Sequence, residues 1–438
     1  MIIFTHHTGE PHGILGPQAA ATHLSRRLGI PAIVVGLTHE LSAEALFSFV
    51  DEYYKGRERV VAFSHLCGRK DLIALIASFK ERDFKTLLGG PQAQVDYLGE
   101  AGHDVHPGRF QGLKRVIDIA IQGPVDRLDP GHLAAAGCRV FEWHRDIGLD
   151  VDWSNLYTFT DRLEPLHINV AQVLHAVGCP HASTTCQVEL PATFGEANTA
   201  RTVTARGCTF CDVARDKGFH GTLPNSTVLA QLINLPERDG RKIPFELINE
   251  YPVGPLARLL EDAGNEGIEL AQVNLVCRVD AIISQEDLLD QALRTARNRG
   301  IRVMFSSIGF ESFSDRILGY FNKGATVEDI VKCVGILRKL KDRYGETLLY
   351  RTDEGACHGF IHPTPWDDTG TMPEIDRNIL VNRLYEDVLP QHSIPLIIHH
   401  SSYLGDWIRS IEDETELTFP RDATWIEWWY PQTGGKKE

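Results

Sequence analysis

No stretch of the 438-residue chain approaches the roughly 18 consecutive apolar residues that a membrane-crossing helix needs. The opening MIIFTHHTGEPHG also lacks the basic region and long apolar run of a secretory leader. A cytoplasmic location is therefore expected, with no membrane partner. Positive charge is in short supply: 44 Lys and Arg stand against 59 Asp and Glu, a net charge of -15. There is no basic run beyond Lys436 and Lys437. Phosphate affinity is gained by neutralisation with cations, so a nucleic-acid partner is not expected. A disulfide framework is not expected either, because nine cysteines is an odd count spread over a long chain, which suits reduced thiols and a metal site better. What is present is ordinary for a folded protein: 43% hydrophobic and 24% charged residues, enough chain for two or three domains.

The chain divides into parts by pattern. Over residues 1–125 the short apolar runs MIIF, PAIVVG, VVAF, KTLLGG and VIDIAI alternate with GPQAAATHLSRRLG, SAEALFSFVDEYYK and RKDLIALIASFKER, which carry apolar residues at helical spacing. This predicts an α/β domain with a five-stranded parallel sheet. Ligands of such sheets bind at the carboxyl ends of the strands, here the loops THHTGEPHGILG, SHLCG and LLGGPQ. Residues 126–165 show no long periodic element and are expected to be a linker region. Over 166–400, the strand candidates TARTVTA, FELINE, VNLVCRV, RVMFSSIGF, ACHGFIH and IPLIIHH alternate with helical patterns, predicting a partial (β/α)6 barrel. Residues 401–438 form a Trp-rich extension.

In the amino-terminal part, Ser64 and Leu66 after the third strand, and Gly89 and Gly90 after the fourth, match in place and order the pattern of cobalamin-binding domains. Glu10-Pro11-His12 followed by Gly16 is a near match to the first motif of those domains. The resemblance implies that cobalamin lies over these loops, with His12 in the place of the lower axial ligand. The plain reading of Gly89 and Gly90 is a tight turn, and of Ser64 a helix cap.

In the second part, the stretch RGCTFCD resembles the cluster loop of radical S-adenosylmethionine (SAM) enzymes. Asn249-Glu250 stands where that family shows Gly-Glu, CRVDAI resembles its third strand, and SIGFESFSDRILGYFNKG its fourth strand and helix, with Gly309, Glu311, Ser312 and Lys323 in the usual order. GFIHPTPWDDT resembles the fifth strand of cobalamin-dependent members. The usual loop is Cys-x-x-x-Cys-x-x-Cys. Cys208 and Cys211 supply two of its thiols, and Thr204 occupies the place of the first. A third thiolate must come from Cys179 or Cys186, with Cys186 nearer in sequence. A zinc site made of all four cysteines is an alternative, with a non-catalytic binding role on a degenerate barrel. Cys67, Cys138, Cys277, Cys333 and Cys357 are expected in core packing.

The resemblance implies a 4Fe-4S cluster that reduces SAM to a 5'-deoxyadenosyl radical, with Glu250, Glu311 and Ser312 contacting SAM. Together with cobalamin, it implies methylation of an unactivated carbon in a small molecule or peptide, with electrons from a flavodoxin- or ferredoxin-type donor. A radical SAM enzyme that does not use cobalamin is the other enzymatic reading. His399 and His400, and Trp425, Trp428 and Trp429, are expected to be satisfied or packed rather than catalytic.

Overall fold

The computed structural model describes residues 1–38, 42–64, 68–194, 200–212, 219–389 and 393–433. Leu66 and Cys67 lie outside the described residues. The chain forms two compact units. The first comprises Met1–Gln172, Asn234–Pro236 and Arg421–Trp425, and the second comprises the remainder. No helix among the described residues is long and apolar enough to cross a membrane.

The first unit is built on strands β1 (Ile2–His6), β2 (Ile33–Leu37), β3 (Val60–Ser64), β4 (Lys85–Gly89) and β5 (Ile119–Gln122). Their near-continuous apolar runs suit a parallel sheet covered on both faces. Ile2, Phe4, Val34, Val35 and Val61 have no measurable exposure. The sheet has eight strands rather than five, because β6 (Gly137–Val140), β7 (Leu156–Phe159) and β8 (Leu163–Pro165) extend it. All three come from the stretch expected to be a linker. They are too short to show periodicity. The order is β6-β5-β4-β3-β1-β2-β7-β8, parallel except that β7 and β8 are antiparallel. The first five strands thus take the doubly wound order 2-1-3-4-5, whose direction switches between β1 and β3. Helices Leu15–Arg26, Ala43–Tyr53 and Lys70–Glu81 connect them. Phe79, on the last of these, sits within 5.2–6.0 Å, ring to ring, of Phe4, Phe47, Phe63 and Phe84.

The second unit contains β9 (Ala171–Leu174, whose first two residues belong to the first unit), β10 (Ala176–Gly178), an antiparallel hairpin of β11 (Thr185–Pro191) and β12 (Ala200–Arg206), and β13 (Phe219–Thr222). A short ribbon of β14 (Glu237–Arg238) and β15 (Arg241–Lys242) follows, and then β16 (Phe245–Ile248), β17 (Gln272–Arg278), β18 (Arg302–Glu311), β19 (Leu348–Leu349) and β20 (Gly359–Phe360). The main sheet runs β19-β18-β17-β16-β9, with β20 also paired to β18. The pairs from β16 through β20 are parallel. Helices Val253–Asn265, Glu286–Asn298 and Val327–Tyr344 alternate with these strands.

Two expectations for this unit need correction. TARTVTA is not the first strand of the parallel sheet. It is one arm of the β11–β12 hairpin, and AQVL at Ala171–Leu174 takes the edge place beside β16. The reason lies in its alternation: Val203 and Ala205 are buried while Thr202, Thr204 and Arg206 are exposed, the pattern of a half-covered antiparallel strand. The buried face of the hairpin, with Val188 and Leu190, packs with Leu404, Trp407, Ile408 and Ile411 of helix Tyr403–Glu414. IPLIIHH contributes only Ile398–His399 as strand, outside the main sheet.

Candidate functional site

The carboxyl ends of β17 and β18 bring Arg278 to Cys208 and Glu311 to Lys323. Arg278 is the last residue of β17 and is buried. It donates from Nε to Asp280 Oδ1 at 2.9 Å, from Nη2 to the carbonyl of Lys323 at 2.7 Å, and from Nη1 toward Cys208 Sγ at 3.7 Å. Burial works against its charge, but Cys208, Asp280 and Cys179 hold its pKa above the ordinary arginine value. Cys179 follows β10 and lies within electrostatic reach of Arg278, Glu250 and Cys208. Burial pushes its thiol up, against the pull of Arg278.

Cys208 itself is buried and begins a tight turn in which Cys211 N donates to Cys208 O at 3.2 Å. That turn is pinned to the loop after helix Asp315–Tyr320. Thr209 donates from N to Phe321 O and from Oγ1 to Tyr320 O, both at 2.9 Å. The Cys179 segment is held by the same loop, where His181 Nε2 meets Asn322 O at 2.7 Å. Asn322 has φ +48° and Gly324 φ +72°, so the loop folds back sharply. A Cβ at Gly324 would meet His181 Cε1 at 2.9 Å, which is why glycine stands there.

Cys186, the favoured third thiol by sequence proximity, lies at the base of the hairpin, where Asn322 joins it to the carbonyl of Gly207. It sits on β11 opposite Ala205, packs against the hairpin's apolar cluster, and accepts from Asn322 Nδ2 at 3.0 Å. Cys179 lies within electrostatic reach of Cys208. None of these thiols is disulfide-bonded. Among the described residues, no three of the four bring their sulfurs within 4.8 Å of one another.

Beside the thiols, Lys323 Nζ pairs with Glu311 Oε1 at 3.1 Å, both side chains being largely buried. Burial penalises the ammonium, but Glu311, with Cys208, holds the pKa of Lys323 above the ordinary lysine value. Glu311 adopts φ +60° at a register shift between β18 and β20, a conformation that costs a non-glycine residue about 1–3 kcal/mol. The pair lies over two glycines in register. A Cβ at Gly309 would stand 2.6 Å from Lys323 Nζ, and one at Gly359 would stand 2.8 Å from Glu311 Oε2. Ser312 Oγ accepts from Ser314 N at 3.3 Å, a local turn contact. Glu250, half-buried, follows Asn249, whose amide bonds His175 Nδ1 at 3.0 Å.

In the first unit, Ser64 is in register with Gly89 on one side and with Thr5 on the other, at the point where the strand order switches. Gly90 has φ +129°. Among the described residues, a Cβ at Gly89 would meet only Phe63 O, at 3.9 Å. Ser64 caps no helix, since the next helix begins at Lys70 with Arg69 as its N-cap. His12 is half-exposed and pairs with Glu10 at 3.3 Å. Of the remaining cysteines, Cys277 and Cys333 are buried, Cys138 is half-buried, and Cys357 is exposed, contrary to the packing expected of it. Trp428 is packed within the apolar cluster of the second unit, while Trp429 is exposed.

Sequence reading missed Arg278, His181 and Asn322. A charged residue closing an otherwise apolar strand, as in VNLVCR, was the available signal for Arg278. No family model matches the chain, and no curated protein matches it significantly.

Proposed function

We propose that the chain is a radical SAM iron–sulfur enzyme whose cluster is held by Cys179, Cys208 and Cys211. The observation that carries this reading is the contact of Cys208 Sγ with the buried guanidinium of Arg278, at the carboxyl end of a parallel strand, with Cys179 within its electrostatic reach. Three thiolates need cationic surroundings to be formed and held, and Arg278 supplies them. A tetrahedral zinc site is less well supported. Zn–S bonds of about 2.3 Å place sulfurs about 3.8 Å apart, closer than any three of these thiols stand.

When bound, the cluster and SAM supply a radical able to take hydrogen from an unactivated carbon, and a corrin supplies a methyl group. The chain's own residues bind and orient. Glu250 and Glu311 offer carboxylates to the amino and ribose groups of SAM, and Glu311 is held in readiness by Lys323. The buried strand ends exclude water from a reactive intermediate. The corrin assignment rests on the register of Ser64 with Gly89 at the β1/β3 switch point, where doubly wound sheets bind ligands. C-methylation, fed by a flavodoxin- or ferredoxin-type donor, is the reaction these parts compose. A radical SAM enzyme without cobalamin is the second reading, favoured by the contact of His12 Nδ1 with the exposed carboxylate of Glu10.

Anaerobic reconstitution tests the assignment. We expect about four irons and four sulfides per chain, lost in Cys179→Ala, Cys208→Ala and Cys211→Ala but kept in Cys333→Ala. A full cluster in the Cys179→Ala/Cys208→Ala double variant would overturn it.

A further inference from the structure

Two cations are buried beside the thiols, and they are disposed differently. The ammonium of Lys323 has its own carboxylate in Glu311 at 3.1 Å. The guanidinium of Arg278 shares Asp280, whose side chain is 40% exposed and so partly screened by water, and turns Nη1 to the sulfur of Cys208. Its plane is fixed by Nη2 on the carbonyl of Lys323. A Cβ at Gly324 would stand 2.9 Å from His181 Cε1 and in ordinary contact, 3.5 Å, with that same nitrogen, so the glycine lets the loop close on His181 beside the guanidinium. The field of Arg278 reaches Cys179 as well.

We propose that Arg278 is a positioning residue that raises the reduction potential of the cluster held by Cys179, Cys208 and Cys211, a proposal that rests on the iron–sulfur reading above. Reduction places one electron, delivered by a low-potential donor of the flavodoxin or ferredoxin type, on a centre already bearing thiolate charge. Arg278 keeps its proton throughout. A cation hydrogen-bonded to a ligand sulfur in a dry site stabilises the reduced form more than the oxidised form, because hydrogen bonds to the sulfurs and local charge set cluster potentials. Lys323, neutralised by Glu311, contributes less.

The test is a redox titration of reconstituted wild type, Arg278→Met, Arg278→Gln and Arg278→Lys, followed by electron paramagnetic resonance. We expect Arg278→Met and Arg278→Gln to keep their iron and sulfide. Their reduction equilibrium constant should fall roughly tenfold, about 59 mV for one electron. Arg278→Lys should recover most of the shift. A full cluster with an unmoved potential in both neutral variants overturns the proposal while leaving the iron–sulfur reading standing. Folded neutral variants that hold no iron also overturn it, making Arg278 a support for the thiols instead. Wild type that takes up neither iron nor sulfide overturns both.

Discussion

Asn322 donates its side-chain amide to Cys186 Sγ at 3.0 Å and to the carbonyl of Gly207 at 2.7 Å. One residue thus ties the hairpin arm that precedes the Cys208 turn to the loop that also receives His181. Cys186 is engaged in this tie and in apolar packing. Cys186→Ala should therefore keep the iron content of wild type and cost about 1–2 kcal/mol of stability through the lost contact and packing. Iron analysis beside urea denaturation checks this. Loss of iron in Cys186→Ala with retention in Cys179→Ala would reverse the assignment of the third thiol.

The ion pair over Gly309 and Gly359 should be sensitive from both sides. Glu311→Gln leaves the ammonium of Lys323 buried without its counter-charge and should destabilise the protein by about 3–5 kcal/mol. Gly359→Ala presses a methyl group against the same carboxylate and should also lower the melting temperature. Glu311→Gln/Lys323→Met, which removes both charges, should recover part of the loss. Thermal unfolding of the three variants measures the pattern, and a double variant no better than Glu311→Gln would show that the pair does not act as a unit.

His358 ties β18 to the segment before β20. Its Nδ1 accepts from Ile308 N at 3.0 Å and its Nε2 donates to Tyr350 O at 2.7 Å, so the ring is neutral. Burial holds its pKa below the ordinary histidine value, outweighing the carbonyl contact of Tyr350. The unfolded chain takes up the proton first, near pH 6.5. The stability that His358 contributes is complete above that pH and is lost as the pH falls toward the lower folded value. His358→Gln, which keeps one donor and one acceptor without titrating, should flatten the decline of the urea midpoint below about pH 6.5. An unchanged slope would place the proton uptake elsewhere.

Gly89 offers a test of the corrin reading that spares the backbone. Among the described residues, a Cβ there meets only Phe63 O at 3.9 Å, whereas Gly90 at φ +129° would be strained by any side chain. Gly89→Leu should leave the melting temperature within a few degrees of wild type and abolish retention of cobalt after gel filtration with hydroxocobalamin. The iron content, which depends on the other unit, should not change. Cobalt absent from treated wild type would favour the enzyme without cobalamin.

The parallel strands were legible because burial on both faces leaves an unbroken apolar run: IIFTH, IVVGL and VVAFS each stand in the sequence as strands and fold as such. The strands of residues 137–165 were not legible, since three or four half-exposed residues carry no period. TARTVTA was misplaced although its alternation marked it as half-covered. The neighbourhood of Cys179 and Cys208 was not legible either, because their segments are both held by Asn322, Phe321 and Tyr320, which lie far along the chain. Arg278 shows its role only once its three donors have partners.

The two ends of the hairpin, Thr185 and Arg206, are register partners, so the chain leaves the neighbourhood of Cys179 and returns to Cys208 through a doorway one strand spacing wide. A folded ribbon that starts and finishes at one place adds residues without adding slack. The entropy of closing a long flexible loop, which grows with its length, is met here by the ribbon's own cross-strand bonds. The hairpin is in effect a graft with a narrow base. Its length can vary while the two segments it joins stay where they are, and intervals counted along the chain do not measure their separation.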